Sequence, residues 1–162
     1  MHQVFLGIGG NTGNKQDNFD KVYTFIENEL GEIRKLSSVY ESPPWGFQSE
    51  EKFWNQVLFV VTELSPEELI KKIAEIENRF GRERGTAGYI SRKMDIDILY
   101  FDELILNSVK LTIPHPQIAN RLFVLVPLAE IAPEFVHPLL KITSLQLLEK
   151  CPDKSMITKV EK

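Results

Sequence analysis

In the N-terminal part of the chain, the spacing of apolar residues changes from that of a strand to that of a helix. Residues 4–8 form a short β-branched and aromatic run that predicts a buried strand, and the glycine-rich residues 9–14 predict a turn. From Asp17 onward apolar residues recur at helical spacing, and Gly31 stands where a glycine cap would end the helix. Residues 33–41 have the composition of a second strand.

The middle of the chain predicts a strand, a helix and another strand. Residues 53–64 are rich in Phe, Val and Trp and should form the longest strand. Residues 65–68, Ser-Pro-Glu-Glu, combine a capping box with proline at the first helical position, and an apolar stripe continues from there to Gly81. Residues 94–101 alternate with a period of two, which indicates a strand with two different faces.

The last third of the chain predicts a hairpin and then helices. Residues 104–106 and 109–113 should pair around a turn at residues 107–108. Thr143 is a candidate N-cap for a last helix through Leu148. Three prolines should interrupt the helical region before it: Pro127, Pro133 and Pro138.

The order of the first six elements is β, α, β, β, α, β. That order fits a split βαβ arrangement with appended strands, so we expect an α+β fold with one mixed or antiparallel sheet covered by helices. The chain has 162 residues, of which 43% are hydrophobic. This length and composition predict a single domain spanning residues 1–162 and allow a stable monomer, which is the expected state.

Charge and composition disfavour several functional classes. The formal net charge of −4 gives no overall attraction to nucleic acid or anionic lipid. The one cysteine, Cys151, excludes an intrachain disulfide and a thiolate cluster, and favours a reducing compartment. The longest apolar runs, residues 57–61 and 122–126, are far shorter than the roughly 18 residues of a spanning helix. We therefore expect a cytoplasmic protein with no nucleic-acid or membrane partner.

Two acidic residues are the strongest candidates for chemistry. Asp95 and Asp97 stand two apart on a predicted strand, so their side chains share one face and lie roughly 7 Å apart. Such a pair suits joint ligation of a hard cation such as Mg²⁺. The alternative is that both residues belong to the solvated face of a half-exposed strand.

The segment before this pair is rich in arginine. Four of the six arginines of the chain lie within residues 79–92, together with three glycines that are typical of a mobile loop. The guanidinium group is the preferred bidentate partner of phosphate oxygens, so loop and acidic pair together suggest a polyphosphate with a metal. A solvated run of charges is the alternative for the loop alone.

Other features of the sequence are less specific. Residues 9–14 lack the Gly-Lys-Ser/Thr of a phosphate loop. His115, between two prolines, has no second ligand at zinc spacing, so either a hydrogen-bonding role at a pocket edge or plain turn structure is open. Four aromatic residues could form core or stack a heterocycle, whose polar edge Asn55 could read. They are Trp45, Phe53, Trp54 and Phe123.

Several motifs follow one another in a fixed order along residues 4–138. They are Ser-Pro-Pro-Trp-Gly at 42–46, Phe-Trp-Asn at 53–55, Glu77 through Gly-Arg at 81–82, Arg-Lys-Met-Asp-Ile-Asp-Ile-Leu at 92–99, Pro-His-Pro at 114–116, Arg-Leu-Phe-Val-Leu at 121–125 and Pro-Leu-Ala-Glu-Ile-Ala-Pro at 127–133. Together they resemble the 6-hydroxymethyl-7,8-dihydropterin pyrophosphokinases of the folate pathway. The resemblance implies a ferredoxin-like α/β sandwich, in agreement with the element order.

The resemblance also implies a reaction and its small-molecule partners, ATP and the pterin. The terminal diphosphate of ATP would pass to the hydroxymethyl oxygen of the pterin, with release of AMP. Asp95 and Asp97 would hold two Mg²⁺ ions with ATP, and Arg82 and Arg92 would act as catalytic residues on a loop that closes over the site.

The same resemblance implies two sets of binding residues. The pterin would contact Ser42, Pro43, Pro44, Trp45, Phe53, Asn55 and Phe123. ATP would contact Glu77, Arg84, Tyr89, Ile98, Lys110, Thr112, His115 and Arg121.

Three departures from the family pattern bear on details of the site. Phe53 stands where tyrosine is frequent, and Ser42 where threonine is common. Residues 89–92, Tyr-Ile-Ser-Arg, replace the usual Trp-Gly-Pro-Arg, so we expect a differently hinged loop.

Two other functions are consistent with parts of the pattern. One is another Mg²⁺-dependent nucleotidyl or phosphoryl transferase on the same sheet. The other is a ferredoxin-like RNA-binding module in which Phe53 and Phe123 stack bases. The negative net charge and the lack of a basic, aromatic strand disfavour the module.

Overall fold

The computed structural model describes residues 1–43, 52–81 and 93–161. Its elements follow the predicted order, except that one predicted strand is divided in two and a further short strand lies near the C-terminus. They are β1 His2–Gly10, α1 Lys15–Glu29, β2 Glu32–Leu36, β3 Tyr40–Ser42, β4 Phe53–Thr62, α2 Pro66–Arg79, β5 Asp95–Phe101, β6 Leu106–Asn107, β7 Thr112–Ile113, a 3-10 turn Ile118–Asn120, α3 Leu122–Ile131, α4 Ser144–Lys150 and β8 Thr158–Lys159.

The main sheet has six strands in the order β5-β1-β4-β3-β8, with β2 also paired to β4. Every strand pairing among the described residues is antiparallel, and β6 and β7 form a separate hairpin. The first four strands of this order and the two intervening helices have the split βαβ connectivity. The predicted α+β fold is confirmed, and the sheet is antiparallel rather than mixed.

The sheet separates two apolar clusters. On one side, which we call the α1/α2 face, side chains of both helices pack against alternate residues of the strands, including Leu6, Leu58 and Ile96. On the other side, the α3/α4 face, Leu125, Leu128 and Leu147 cover a second cluster. The two clusters arise because successive residues of a strand point to opposite sides of the sheet.

The start and end of α2 agree with the sequence, and α1 ends directly before Gly31 as expected, but without a left-handed glycine cap. Ser65 and Glu68 form the expected capping box of α2, and Gly81 follows the helix with φ +77°. Gly31 is not a left-handed cap, because it has no positive φ. It is glycine for another reason, since a Cβ there would overlap the carbonyl oxygen of Val61 on the neighbouring strand.

The strand predicted for residues 33–41 is two strands. Residues 37–39 separate β2 from β3, and Ser37 bonds β4 at this break. Its N–H donates to the Val57 carbonyl and its hydroxyl accepts the Val57 N–H, both at 3.0 Å. The side chain therefore substitutes for a ladder hydrogen bond, which the composition of the segment did not indicate.

Smaller corrections concern chain ends and turns. β1 extends through the glycines to Gly10, where a turn was expected. The hairpin turn is at residues 108–111, closed by the Ser108 N–H to Leu111 carbonyl bond of 3.0 Å. Pro127 lies inside α3 instead of interrupting it, whereas Thr143 caps α4 as expected. In the part of the chain that is described, no helix is both long and apolar enough to cross a membrane.

Candidate active site

The two acidic residues of β5 lie on the α3/α4 face of the sheet. Ile96 and Ile98 point to the other face and are buried in its cluster, so Asp95 and Asp97 share one side, as predicted. Both are half-buried. Their nearest partners across the sheet are glycines, since Asp95 is paired with Gly9 and Asp97 with Gly7.

Glycine at these positions lets neighbouring groups approach the main chain of β1 closely. A Cβ on Gly9 would lie 2.9 Å from Oδ1 of Asn55 and 3.0 Å from the carbonyl oxygen of Trp54. Gly9 is paired with Asn55 on its other side. The row Asp95, Gly9 and Asn55 thus crosses three strands, and the amide oxygen of Asn55 packs against the main chain of Gly9.

Asn55 is held in place by a residue of the next strand. Its Nδ2 donates to Oγ of Ser42 at 2.8 Å, and both side chains are buried, at 7% and 3% exposure. Phe53, two residues earlier on β4, is half-buried and points to the same side of the sheet. The structure therefore brings Ser42, Phe53 and Asn55 together with the acidic pair on one face.

Trp54 does not belong to this group. It points to the α1/α2 face, where its ring meets that of Phe19 edge-on at 5.8 Å between centroids. Its indole N–H donates to Glu41 at 3.2 Å. Of the aromatic residues weighed from the sequence, Trp54 is therefore core packing.

The first turn of α3 lies over the same face. Arg121 precedes the helix and Phe123 lies in its first turn, with the guanidinium carbon 5.5 Å from the centre of the Phe123 ring. Leu125 and Leu128 on the buried side of α3 anchor the helix in the second cluster. This packing is what places Arg121 and Phe123 on the side of the sheet that carries the carboxylates.

His115 connects the open edge of β5 to the site. Its N–H donates to the Leu99 carbonyl at 3.0 Å, and its Nδ1 accepts the Gln117 N–H at 3.1 Å, so the neutral ring carries its proton on Nε2. Burial lowers the pKa of His115, the positive charge of Arg121 lowers it further, and Asp95 opposes both effects. His115 is therefore a neutral imidazole that lies near both Asp95 and Arg121.

Glu77 lies at the same edge, at the end of α2. Its carboxylate is buried, at 5% exposure, and accepts the Ile96 N–H at 2.9 Å. Ile98, also predicted to contact the nucleotide, has its side chain in the core of the α1/α2 face. A ligand at this edge would therefore meet the main chain of Ile98 and not its side chain.

The other predicted residues are less closely placed. Thr112 lies in β7, next to Ile113, which joins the core, and Lys110 is exposed in the hairpin turn. Pro43 is exposed at the end of β3. Six predicted site residues fall outside the described residues and stay predictions: Pro44, Trp45, Arg82, Arg84, Tyr89 and Arg92.

The chemistry of the site fits magnesium better than a transition metal. Within residues 1–43, 52–81 and 93–161, no three or more His, Cys, Asp or Glu side chains converge on one point. The acidic pair supplies two carboxylates on one face, and Mg²⁺ is typically bound by one or two carboxylates with phosphate oxygens and waters as its other ligands. The residues present therefore fit that ion.

Sequence reasoning missed the glycines of β1. Gly7 was given no role within the predicted strand and Gly9 was assigned to the turn after it, whereas both lie inside β1 opposite the acidic pair. Their spacing of two residues was the available signal, because it places two missing side chains on one face of a strand.

The comparisons with known proteins point to one family. The sequence model of 7,8-dihydro-6-hydroxymethylpterin-pyrophosphokinase (HPPK) matches residues 5–133. The chain is 41% identical to the 2-amino-4-hydroxy-6-hydroxymethyldihydropteridine pyrophosphokinase of Aquifex aeolicus over 140 residues, which are 86% of each chain. It is 35% identical over 141 residues to the pyrophosphokinase of the same name from Porphyromonas gingivalis, covering 85% of this chain and 95% of that one.

Longer proteins contain a similar region. The chain is 39% identical to the folic acid synthesis protein FOL1 of Dictyostelium discoideum. The matched region covers 93% of this chain but only 22% of that protein. A crystal structure of Plasmodium falciparum HPPK-DHPS has the same fold, with a TM-score of 0.73 at 18% identity, over 93% of this chain and 43% of that one. The chain thus belongs to the 7,8-dihydro-6-hydroxymethylpterin-pyrophosphokinase family.

Proposed function

We propose that this chain transfers the terminal diphosphate of ATP to 6-hydroxymethyl-7,8-dihydropterin at the polar end of the α3/α4 face. Family membership supports pyrophosphoryl transfer to hydroxymethyldihydropterin in folate synthesis. The pterin hydroxyl oxygen attacks the β-phosphorus of ATP and loses its proton. The bond from that phosphorus to the α-phosphate oxygen breaks, and AMP leaves.

The observation that carries the proposal is the row Asp95, Gly9 and Asn55, with Asp97 beside it. Two carboxylates and a buried amide share one face of the sheet, and glycine at position 9 lets the amide oxygen of Asn55 pack against the main chain of β1. A merely solvated strand face would not need this close approach. Phosphoryl transfer depends mainly on positioning and on neutralising charge, which is what such a rigid polar surface supplies.

Asp95 and Asp97 would hold Mg²⁺, as two ions with ATP. Bound there, the metal would neutralise triphosphate charge and polarise the phosphorus under attack. The part played by the chain is to keep the two carboxylates on one side, since β5 is fixed by its pairing with β1 and by the burial of Ile96 and Ile98.

The pterin would lie between the aromatic rings of Phe53 and Phe123. Because Nδ2 of Asn55 donates to Ser42, the amide is fixed with Oδ1 next to Gly9, where it would accept from a ring N–H of the pterin. Pro43, Pro44 and Trp45 would complete the wall on the side of β3. Flat rings stack well on aromatic faces, and the polar edge then determines orientation.

ATP would lie along the open edge of β5. Glu77 and the main chain of Ile98 would contact it there, the hairpin residues Lys110 and Thr112 would reach it from the side, and His115 and Arg121 would lie between it and the carboxylates. The N–H on Nε2 of His115 suits donation to a phosphate oxygen. Arg82, Arg84, Tyr89 and Arg92 would complete the phosphate site and exclude water, which would otherwise compete as acceptor.

The setting proposed for the reaction is the cytoplasm, with the chain acting as a monomer on its two small-molecule substrates. The negative net charge supports the absence of nucleic acid and membrane from this function, and the single cysteine supports a reducing compartment.

A product assay with matched carboxylate variants tests the proposal. The purified chain is incubated with ATP, Mg²⁺ and the pterin, and AMP and pterin diphosphate are quantified by chromatography with mass detection. We expect equimolar products, a loss of at least about 100-fold in Asp97→Asn because electrostatic stabilisation of charge is usually a large catalytic contribution, and near-normal turnover in Asp102→Asn. The control makes the same chemical change just beyond the other end of β5, where Asp102 bonds His2.

Two results would contradict the proposal. Formation of ADP instead of AMP would indicate transfer of a single phosphoryl group on a similar site. Equal turnover of the Asp97 and Asp102 variants would remove the acidic pair from the mechanism.

A further inference from the structure

The first turn of α3 has a main-chain donor that its own segment does not satisfy. Arg121 occupies the N-cap position and makes no capping hydrogen bond with its side chain. The first N–H groups of any helix have no partner within the helix and need one from elsewhere. This turn carries Phe123 and follows directly on Arg121, so the way it is capped bears on the proposed site.

The missing partner comes from the C-terminal segment. Oδ2 of Asp153 accepts the Leu122 N–H at 3.0 Å, across 31 positions of sequence. Leu122 lies between Arg121 and Phe123. A carboxylate at this place also interacts favourably with the positive end of the helix dipole.

Asp153 is itself held in a fixed orientation. Its other oxygen, Oδ1, accepts the Ser155 N–H at 2.8 Å and the Ser155 hydroxyl at 2.5 Å. Burial raises the pKa of Asp153, but the hydrogen bonds from Ser155 and Leu122 outweigh that effect, and the pKa lies below its ordinary value. The carboxylate therefore stays charged throughout the neutral range.

The segment around Asp153 is anchored on both sides. Cys151 is buried in the cluster of the α3/α4 face. Further along, β8 pairs with β3, and the Val160 N–H donates to the Val39 carbonyl at 2.8 Å. The main chain on either side of Asp153 is thus fixed to the body of the domain.

The other end of α3 is secured independently. Glu130 accepts from the N–H and hydroxyl of Ser38, at 3.1 and 2.8 Å, and from the Tyr40 hydroxyl at 2.7 Å. These bonds join the last turn of α3 to the start of β3. Loss of Asp153 should consequently loosen the first turn and leave the last turn in place.

We propose that Asp153 is a positioning residue of the active site, which fixes Arg121 and Phe123 by capping the first turn of α3 from the C-terminal segment. This role rests on the proposed function, because it assigns Phe123 to the pterin and Arg121 to the nucleotide. It adds to that function a residue outside the segment 5–133 that the family match covers.

The test compares Asp153→Ala and Asp153→Asn with Ser65→Ala, which removes the cap of α2 on the other face of the sheet. We expect Asp153→Ala to raise KM for the pterin about fivefold, in line with the loss of a cap. Amide exchange should quicken at residues 122–124 and stay unchanged at 128–131. Asparagine also caps helices well, so Asp153→Asn should recover most of the affinity.

The Ser65→Ala control should show a comparable loss of thermal stability, because it loses a cap of the same kind, with KM for the pterin unchanged. Equal KM in Asp153→Ala and Ser65→Ala would overturn the proposal, as would unchanged exchange at residues 122–124. If Asp153→Ala does not fold, Asp153→Glu, which keeps the charge and moves it by one methylene, should show a smaller rise of KM in the same direction, and no rise would also overturn it.

Failure of the proposed function is distinguishable from failure of this inference. A wild-type chain that releases no AMP with the pterin would overturn the function and, with it, the role of Phe123. A wild-type chain that works, with Asp153→Ala indistinguishable from Ser65→Ala, would overturn the positioning role alone.

Discussion

The two faces of the sheet are built from the same strands but covered in different ways. On the α1/α2 face, apolar side chains from β1, β4 and β5 meet two helices along the whole length of the strands. On the α3/α4 face, the apolar cluster begins at Phe5 and Val57 and gives way, toward Gly9, to Asp95, Asp97 and Asn55. Among residues 1–43, 52–81 and 93–161, apolar side chains therefore cover one face along its length and the other face at one end only.

The difference shows how a strand serves stability and chemistry at once. Because alternate residues of β5 face opposite sides, Ile96 and Ile98 fix the strand while Asp95 and Asp97 remain available on the other side. The ends of the helices are fixed by carboxylates on both faces: Glu77 bonds the end of α2 to β5, and Glu130 and Asp153 bond the two ends of α3.

The largest effect on stability should come from the α1/α2 face. Leu58 is fully buried there, so Leu58→Ala should lower the free energy of unfolding by about 3 kcal/mol, the middle of the range for such cavities. Urea unfolding measures this change. KM for both substrates should stay normal at temperatures where the variant is folded, and a selective rise of KM for the pterin would mean that the two faces are not separable in this way.

The α3/α4 face should respond in the opposite manner to a small addition of volume. Gly9→Ala places a methyl group 2.9 Å from Oδ1 of Asn55, so the amide must shift. We expect turnover with the pterin to fall about tenfold, since misplacement by about 1 Å can cost 100-fold, with only a modest loss of stability. In Gly7→Ala the nearest contact, a Leu99 methyl at 3.5 Å, is ordinary, and the loss should be smaller. Equal losses in both variants would argue against a special role for the close approach of Asn55 to Gly9.

Low pH should lower the stability of the fold through Glu130, which lies on the α3/α4 face. Burial raises the pKa of Glu130, but the hydrogen bonds from Tyr40 and Ser38 lower it more, so its pKa in the folded state is below the ordinary value. Such a group stabilises the fold above its unfolded pKa, about 4.3 for glutamate, and this contribution is lost as the pH falls through the folded value.

Thermal unfolding of wild type and Glu130→Gln between pH 7 and pH 3 measures this dependence. The wild type should be the more stable at pH 7, and the difference should shrink below the ordinary glutamate range. Glu134→Gln, at an exposed position nearby, is the control and should show no such trend. A difference that persists unchanged to pH 3 would contradict the role of the Glu130 charge.

The sequence pattern correctly predicted those elements that are determined by residues close together in the chain. The capping box at Ser65 and the alternation of β5 were correct because each depends on residues a few positions apart. Gly31 was misread because its cause is the carbonyl of Val61, on a strand the sequence does not connect to it. β8 was missed because it is two residues long and is defined only by its pairing with β3.

The candidate site shows the same division. The shared face of Asp95 and Asp97 follows from their spacing. Asp153 and Glu130 were not found, because their partners are 31 and about 90 positions away, and nothing in the sequence near a carboxylate indicates a donor at that distance.

The smallest expected effect comes from a tyrosine on each face, because only one of the two hydroxyls has a hydrogen-bond partner among the described residues. Tyr23, on the α1/α2 side, donates its hydroxyl to Oε1 of Gln56 at 2.5 Å. Tyr100, in the cluster of the α3/α4 face, is fully buried, and among the described residues its hydroxyl has no hydrogen-bond partner. Burial raises the pKa of both, so both hydroxyls are neutral at physiological pH.

Removal of the two hydroxyls should therefore have opposite signs. Tyr23→Phe leaves a buried amide oxygen without its donor and should destabilise the fold by about 1 kcal/mol, whereas Tyr100→Phe removes an unsatisfied polar atom and should be neutral or stabilising by up to about 1 kcal/mol. Calorimetry on both variants measures the sign. A Tyr100→Phe variant that loses as much stability as Tyr23→Phe would mean that the Tyr100 hydroxyl has a partner, such as a buried water, and that the α3/α4 cluster is more polar than its side chains indicate.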